Sequence, residues 1–123
     1  MPKAKRKKIL IADDSVVAFK HLSNIISEKD YEVVGHAKNG AEVLKMYKEL
    51  RPDIVLLDLV MPIMTGLEAL DGLMQIDLNA KVVVISSIGG VGQKAIKALE
   101  MGAKNVITKP FHEEAVLRIL KEL

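Results

Sequence analysis

The chain has no cysteine and no tryptophan, only four prolines, and no aromatics beyond two phenylalanines, two tyrosines and three histidines. Without thiols there is no disulfide framework and no thiolate metal centre, and a reducing compartment fits. With so few aromatic rings, the stacking platforms used to bind single-stranded nucleic acid are missing. The core must be built from Ile, Val, Leu, Met and Ala. Long apolar runs are also absent: nothing approaches the roughly 20 residues of a membrane span, and Ile9-Leu10-Ile11-Ala12 is too short for the core of a signal peptide. We therefore expect a cytoplasmic protein with no membrane span. Nor does either sign of charge dominate, with 18 basic against 16 acidic residues and a net charge of +2. Lys3, Lys5, Arg6, Lys7 and Lys8 account for that excess, and the other 13 basic residues leave the remainder at −3. A basic stretch at a chain end reads as a solvated lead-in, and no direct nucleic-acid binding is expected.

What is present is a strict alternation. Apolar runs predict strands over Lys8–Ala12 (β1), Tyr31–Ala37 (β2), Asp53–Leu57 (β3), Lys81–Ile85 (β4) and Asn105–Thr108 (β5). Between and after them, apolar residues at helical spacing predict helices from Asp14 to about Glu28 (α1), Ala41–Leu50 (α2), Gly66 to about Ile76 (α3), Val91–Met101 (α4) and Glu113–Leu123 (α5). Five strand–helix pairs in a chain of 123 residues suit one compact α/β domain with a parallel sheet covered on both faces. Near-continuous rather than alternating apolar strands agree with a sheet buried on both sides. We divide the chain into a basic lead-in, 1–8, and one domain, 9–123.

In open parallel sheets, ligands bind beyond the carboxyl ends of the strands. Asp13 and Asp14 stand after β1, Asp58 after β3, Ser86 and Ser87 after β4, and Lys109-Pro110 after β5. A parallel sheet brings all of them to one edge. Clustered carboxylates repel one another and call for a cation, and hard oxygen ligands without His or Cys suit Mg²⁺ or Mn²⁺. A lysine ammonium and a hydroxyl beside them suit a phosphoryl group. Together these describe phosphoryl transfer to a carboxylate nucleophile. Each residue alone has an ordinary reading: Asp14 as the N-cap of α1, Asp58 as a turn residue. The conjunction at the ends of four strands carries the argument. His21, His36 and His112 show no ligand spacing and read as helix-surface, strand-end and cap residues. Asp53, Asp71 and Asp77 read as strand-start, helix-surface and loop residues.

The segments ILIADDS (9–15), DIVLLDLVMPIMTG (53–66), VVVISS (82–87) and GAKNVITKPF (102–111) resemble response regulator receiver domains of two-component signalling, in order and over essentially the whole chain. The look is that of stand-alone chemotaxis-type regulators and of the receiver part of chemotaxis methylesterases. The resemblance implies a flavodoxin-like sheet of order 2-1-3-4-5. It implies that Asp58 accepts a phosphoryl group from a histidine kinase in a phosphorelay. Mg²⁺ would be held by Asp14, Asp58 and the backbone carbonyl of Val60, with Asp13 acting through water. Lys109 and Ser86 would contact the phosphoryl group, and Lys109-Pro110 would be cis. Ser87 competes for the Ser86 role: counting back from Lys109 without gaps favours Ser87, while reading Gly89-Gly90-Val91-Gly92 as a one-residue insertion favours Ser86. Val106 stands where many family members carry an aromatic switch residue. Val60 and Ile88 flank the path of an attacking water and cannot orient one, so slow dephosphorylation is expected. Phosphorylation would alter the α4–β5–α5 face and hence binding of a downstream partner, left open between a motor protein, another phosphotransfer or effector protein, and a second copy of the chain. Two other readings stand beside this signalling switch: a constitutive pseudo-receiver module, and an aspartate-nucleophile phosphatase. The latter lacks the second Asp two residues after the nucleophile, since Val60 stands there.

Overall fold

A computed structural model describes residues 6–27, 30–87 and 92–123. The expected Glu28 end of α1, Ile88, the Gly89-Gly90-Val91 stretch and the first five residues of the basic lead-in lie outside that set. The strands are β1 (Lys7–Ala12), β2 (Tyr31–Ala37), β3 (Ile54–Asp58), β4 (Val82–Ser87) and β5 (Asn105–Lys109). The helices are α1 (Val16–Ile26), α2 (Gly40–Leu50), α3 (Gly66–Ile76), α4 (Gly92–Met101) and α5 (Glu113–Lys121). All neighbouring strands pair in parallel, in the order β2-β1-β3-β4-β5. The doubly wound architecture expected from alternation is thus the one observed.

The continuous apolar strands serve two cores at once. Leu10, Ala12, Val55, Leu57, Val82 and Val84 face one side, against Val43, Leu70, Leu73 and Ala98 of α2, α3 and α4. Ile9, Ile11, Ile54, Leu56, Val83 and Ile85 face the other, against Leu22, Ile26, Val116 and Leu120 of α1 and α5. Successive residues of a strand point to opposite faces, so only an unbroken apolar run can fill both layers.

The boundaries are set by chemistry that the apolar pattern does not carry. Ser15, not Asp14, caps α1: its hydroxyl accepts from the Ala18 N–H at 3.1 Å. Asn39 caps α2 through Glu42 N–H, and Thr65 and Glu68 close a capping box on α3. Each hydroxyl or amide satisfies an otherwise orphaned N–H, so these helices start one residue after it. Strands β3, β4 and β5 each run one or two residues beyond the predicted end, because Asp58, Ser86, Ser87 and Lys109 continue the ladder although they are polar. The lead-in contributes to the sheet, since Lys7 and Lys8 lie in β1. The ladder between β1 and β2 shifts register between Ile9 and Leu10.

Candidate functional site

The carboxyl ends of β1, β3 and β5 bring Asp13, Asp14, Asp58 and Lys109 together. One carboxylate oxygen from each aspartate lies within 4.8 Å of the others. Asp13 and Asp58 are buried and Asp14 is exposed. Because Ser15 does the capping, the Asp14 carboxylate is not spent on the helix.

Asp58 Oδ1 accepts the backbone N–H of Val60 at 3.0 Å, and Oδ2 lies 3.4 Å from Lys109 Nζ. Asp13 Oδ1 accepts the Ser15 N–H at 2.9 Å. Asp13 Oδ2 lies 3.1 Å from Lys109 Nζ, yet it is fully buried and accepts no well-directed hydrogen bond among the described residues. A buried carboxylate oxygen left in that state is costly unless a cation completes it. Three carboxylates face one ammonium, an excess of two negative charges. The donor set is all oxygen. The cluster therefore fits a Mg²⁺ ion and an aspartyl phosphate.

The electrostatics agree. Burial pushes the Asp58 carboxyl above the ordinary Asp range, and the Asp13 charge adds to this. The Val60 N–H and Lys109 oppose it without cancelling it. For Lys109, burial pulls the pKa down, but the close contact with Asp13 and the charges of Asp58 and Asp13 outweigh it, so the ammonium is held above its usual value. An acid reluctant to ionise beside a base reluctant to deprotonate is a site short of positive charge.

The segment after Asp58 is fixed by close backbone approach. A Cβ on Gly66 would strike the Asp58 carbonyl oxygen and the Leu59 Cα, and the Gly66 N–H donates to Leu59 O at 3.1 Å. Gly40 N–H holds the far side of the loop through Met64 O at 3.2 Å. Between these ties Ile63 takes φ +69° with its side chain 86% exposed, a conformation that costs a β-branched residue about 1–2 kcal/mol.

Ser86 and Ser87 line a cleft of about 370 Å³ together with Asp58, Val60, Gln93 and Lys94. Ser86 is buried and pairs with Thr108, whereas Ser87 is exposed and pairs with Lys109. Val106 pairs with Val84 and packs against the core formed with α2, α3 and α4. The Lys109-Pro110 bond is cis, as the resemblance implies. His21 sits edge-on to Phe111, with ring centroids 5.5 Å apart, and His112 occupies the N-cap of α5 without a side-chain hydrogen bond. His36 lies next to last in β2, at the strand end as expected, and makes a contact beyond that role. Its Nε2 lies 2.7 Å from the Asp13 carbonyl oxygen. No sequence spacing signals this contact, because it depends on how β2 registers against β1.

Comparison with known proteins agrees with the geometry. Residues 9–121 match the family model described as the response regulator receiver domain. The chain is 43% identical over 117 residues to the chemotaxis protein CheY of Thermotoga maritima, covering 95% of this chain and 97% of that one. It is 44% identical over 115 residues to CheY of Listeria monocytogenes, covering 94% and 96%. Among solved structures it resembles CheY in the CheX-CheY-BeF3-Mg²⁺ complex of Borrelia burgdorferi, with TM-score 0.87 and 34% identity over 94% of this chain and 87% of that one. It also resembles the response regulator domain of Thermotoga maritima CheB, with TM-score 0.84 and 33% identity over 95% and 96%. A receiver matched along nearly its whole length, with an acidic pocket that fits Mg²⁺, makes this chain a member of the response regulator receiver family, of the chemotaxis type.

Proposed function

We propose that the chain is a phosphorylation switch in which Asp58 takes a phosphoryl group from the phosphohistidine of a sensor kinase. The observation that carries this is the buried Asp58 carboxylate in a cluster with Asp13, Asp14 and Lys109 that is short of positive charge. An Asp58 oxygen attacks phosphorus, the P–O bond forms as the P–N bond to the histidine breaks, and the imidazole leaves with the electron pair. Asp14, Asp58 and the Val60 carbonyl would hold Mg²⁺, with Asp13 acting through water; the ion would neutralise phosphoryl charge. Lys109, already 3.4 Å from Asp58, is placed to pair with the phosphoryl oxygens. Ser86 is the better candidate for the switching hydroxyl, because it is buried beside the cleft and lies two residues beyond Val84, on the same sheet face. The same chemistry lets the chain phosphorylate itself from a small acyl phosphate and lose the group to water, a stoichiometric cycle rather than enzymatic turnover.

Adding about two negative charges at Asp58 would bias the α4–β5–α5 face. Ile96 and Leu99 of α4 are 59% and 44% exposed, and β5 is an edge strand. Both features suit a face that binds a partner. The CheX complex of the Borrelia relative supports a protein partner, and a second copy of this chain is the alternative. The likeness to chemotaxis receivers supports a cytoplasmic setting, with 9–123 as the receiver unit.

The test is intact-mass measurement after incubation with Mg²⁺ and acetyl phosphate. A single hydroxylamine-sensitive phosphoryl adduct, lost without Mg²⁺ and lost in Asp58→Asn, is expected. No adduct, with Mg²⁺ binding also absent, would favour a constitutive pseudo-receiver module. Val60 is 62% exposed at the mouth of the site, and Val60→Asn should shorten the lifetime of the adduct; an unchanged half-life would count against slow loss through an unordered water.

A further inference from the structure

The register shift between β1 and β2 has a consequence at the acidic site. Ile9 pairs with Val33, but Leu10 pairs with Gly35 and Ile11 with His36. Val34 is thus the extra residue. Side chains alternate along a strand, so a one-residue slip moves every later residue to the opposite face. Without the irregularity, Gly35 would pair with Ile11, and His36 would turn toward α2, where Met46 and Leu50 already crowd the position opposite Leu10. With it, His36 turns toward α1. There its ring lies flat on Phe19, with centroids 3.9 Å apart and planes 5° from parallel, and its Nε2 meets the Asp13 carbonyl oxygen at 2.7 Å. A carbonyl oxygen only accepts, so Nε2 carries the proton and donates.

We infer that His36 is a positioning residue for the cation site: donating Nε2–H to the Asp13 carbonyl, it fixes the turn that aims the Asp13 and Asp14 carboxylates at Asp58. Asp13 is then gripped at every main-chain polar group. Its N–H donates to Ala37 O at 3.0 Å, and its carbonyl accepts from His36. Its side chain is held through Oδ1 by the Ser15 N–H. The main-chain grips come from the end of β2, a strand that supplies no carboxylate to the cluster. Asp14 is exposed and follows Asp13 in the same turn, so the His36 bond matters most for the ligand with least packing of its own. Phe19 holds the plane of the ring, with centroids 3.9 Å apart.

This rests on the reading of the acidic pocket as a Mg²⁺ site, and the test separates the two. Isothermal titration with MgCl₂ gives the affinity of the whole chain, and thermal midpoints in EDTA give its stability without the ion. His36→Phe keeps a flat ring against Phe19 but removes the donor; it is expected to weaken Mg²⁺ binding about tenfold, as loss of outer hydrogen bonds does at metal sites, with only a small change of midpoint in EDTA. His36→Gln restores an N–H and is expected to recover most of the affinity. Wild-type affinity in His36→Phe overturns the inference and leaves the Mg²⁺ site standing, as does equal weakening in His36→Gln. Absence of Mg²⁺ binding in the unmodified chain removes both. A measurement that needs no variant is the long-range ¹H–¹⁵N spectrum of the neutral His36 ring: the Nε2-protonated tautomer is expected, and the Nδ1-protonated form would overturn the inference.

Discussion

The two ends of the sheet use the same residue type in opposite ways. At the amino-terminal edge each named aspartate is matched. Asp53 Oδ2 accepts the Lys8 N–H at 2.7 Å. Asp77 closes α3, its Oδ1 accepting from Asn79 N–H and its Oδ2 from the Tyr47 hydroxyl, both at 2.9 Å. These carboxylates act as local clamps. At the carboxyl edge, Asp13, Asp14 and Asp58 crowd one another, and a buried Asp13 oxygen lacks a directed hydrogen bond among the described residues. Exposed Val60 and strained Ile63 lie in the segment that follows Asp58. One edge is optimised for stability, while the other gives up stability to hold a site that only a cation and a phosphoryl group complete. Local strain and unmet polar groups gather at functional sites in this way.

Variants at the two edges can break or sharpen that contrast. The largest effect is expected from Gly66→Ala. Its methyl group meets backbone that cannot move aside, so a loss of about 3 kcal/mol, at the upper end for overpacking, is expected in urea unfolding; a loss under ~0.5 kcal/mol would mean the loop yields and the site is less rigid than described. Next, Tyr47→Phe removes one satisfied hydrogen bond and should cost about 1 kcal/mol. Burial and the bond to Asp77 push the Tyr47 hydroxyl up to about 12. A raised acid is stabilising while protonated, so its contribution is complete below the ordinary Tyr value near 10 and lost as pH rises toward 12. Stability of the unmodified chain should fall over that window, and Tyr47→Phe should flatten this part of the profile. Smallest, and of opposite sign, Ile63→Asn places a residue tolerant of positive φ where Ile is strained, and a gain of ~0.5–1 kcal/mol is expected from thermal unfolding.

How far the sequence alone reaches differs between these edges. The parallel sheet and its two cores were legible because Ile54–Leu57 and Val82–Ile85 leave no polar position, as a doubly covered parallel strand requires; the strand order came from the family resemblance, since apolar runs do not say which strands are neighbours. Asp13, Asp14, Asp58 and Lys109 were legible because each follows an apolar run, and a parallel sheet collects such ends. The cap at Ser15 was missed in favour of Asp14: both are good caps, and only the backbone decides which one sits at the non-helical position. The ends of β3 and β5 were set short because Asp58 and Lys109 look like loop residues while still belonging to the ladder. His36 was out of reach, since its role depends on one extra residue in β2, and an irregular register leaves no mark in the apolar pattern.

The contrast itself is tested most directly by thermal midpoints at neutral pH in EDTA for the unmodified chain, Asp58→Asn and Asp77→Asn. Asp58 holds its proton more tightly folded than unfolded, so its contribution is present below the ordinary carboxylate range and lost as pH rises through its raised value. At neutral pH, removing that charge should raise the midpoint by a few degrees. Asp77→Asn disturbs a satisfied clamp and should lower it by a similar amount. Shifts of opposite sign are the predicted result. A fall in both variants would contradict the account, because it would show the Asp58 carboxylate to be as well matched in the fold as Asp77.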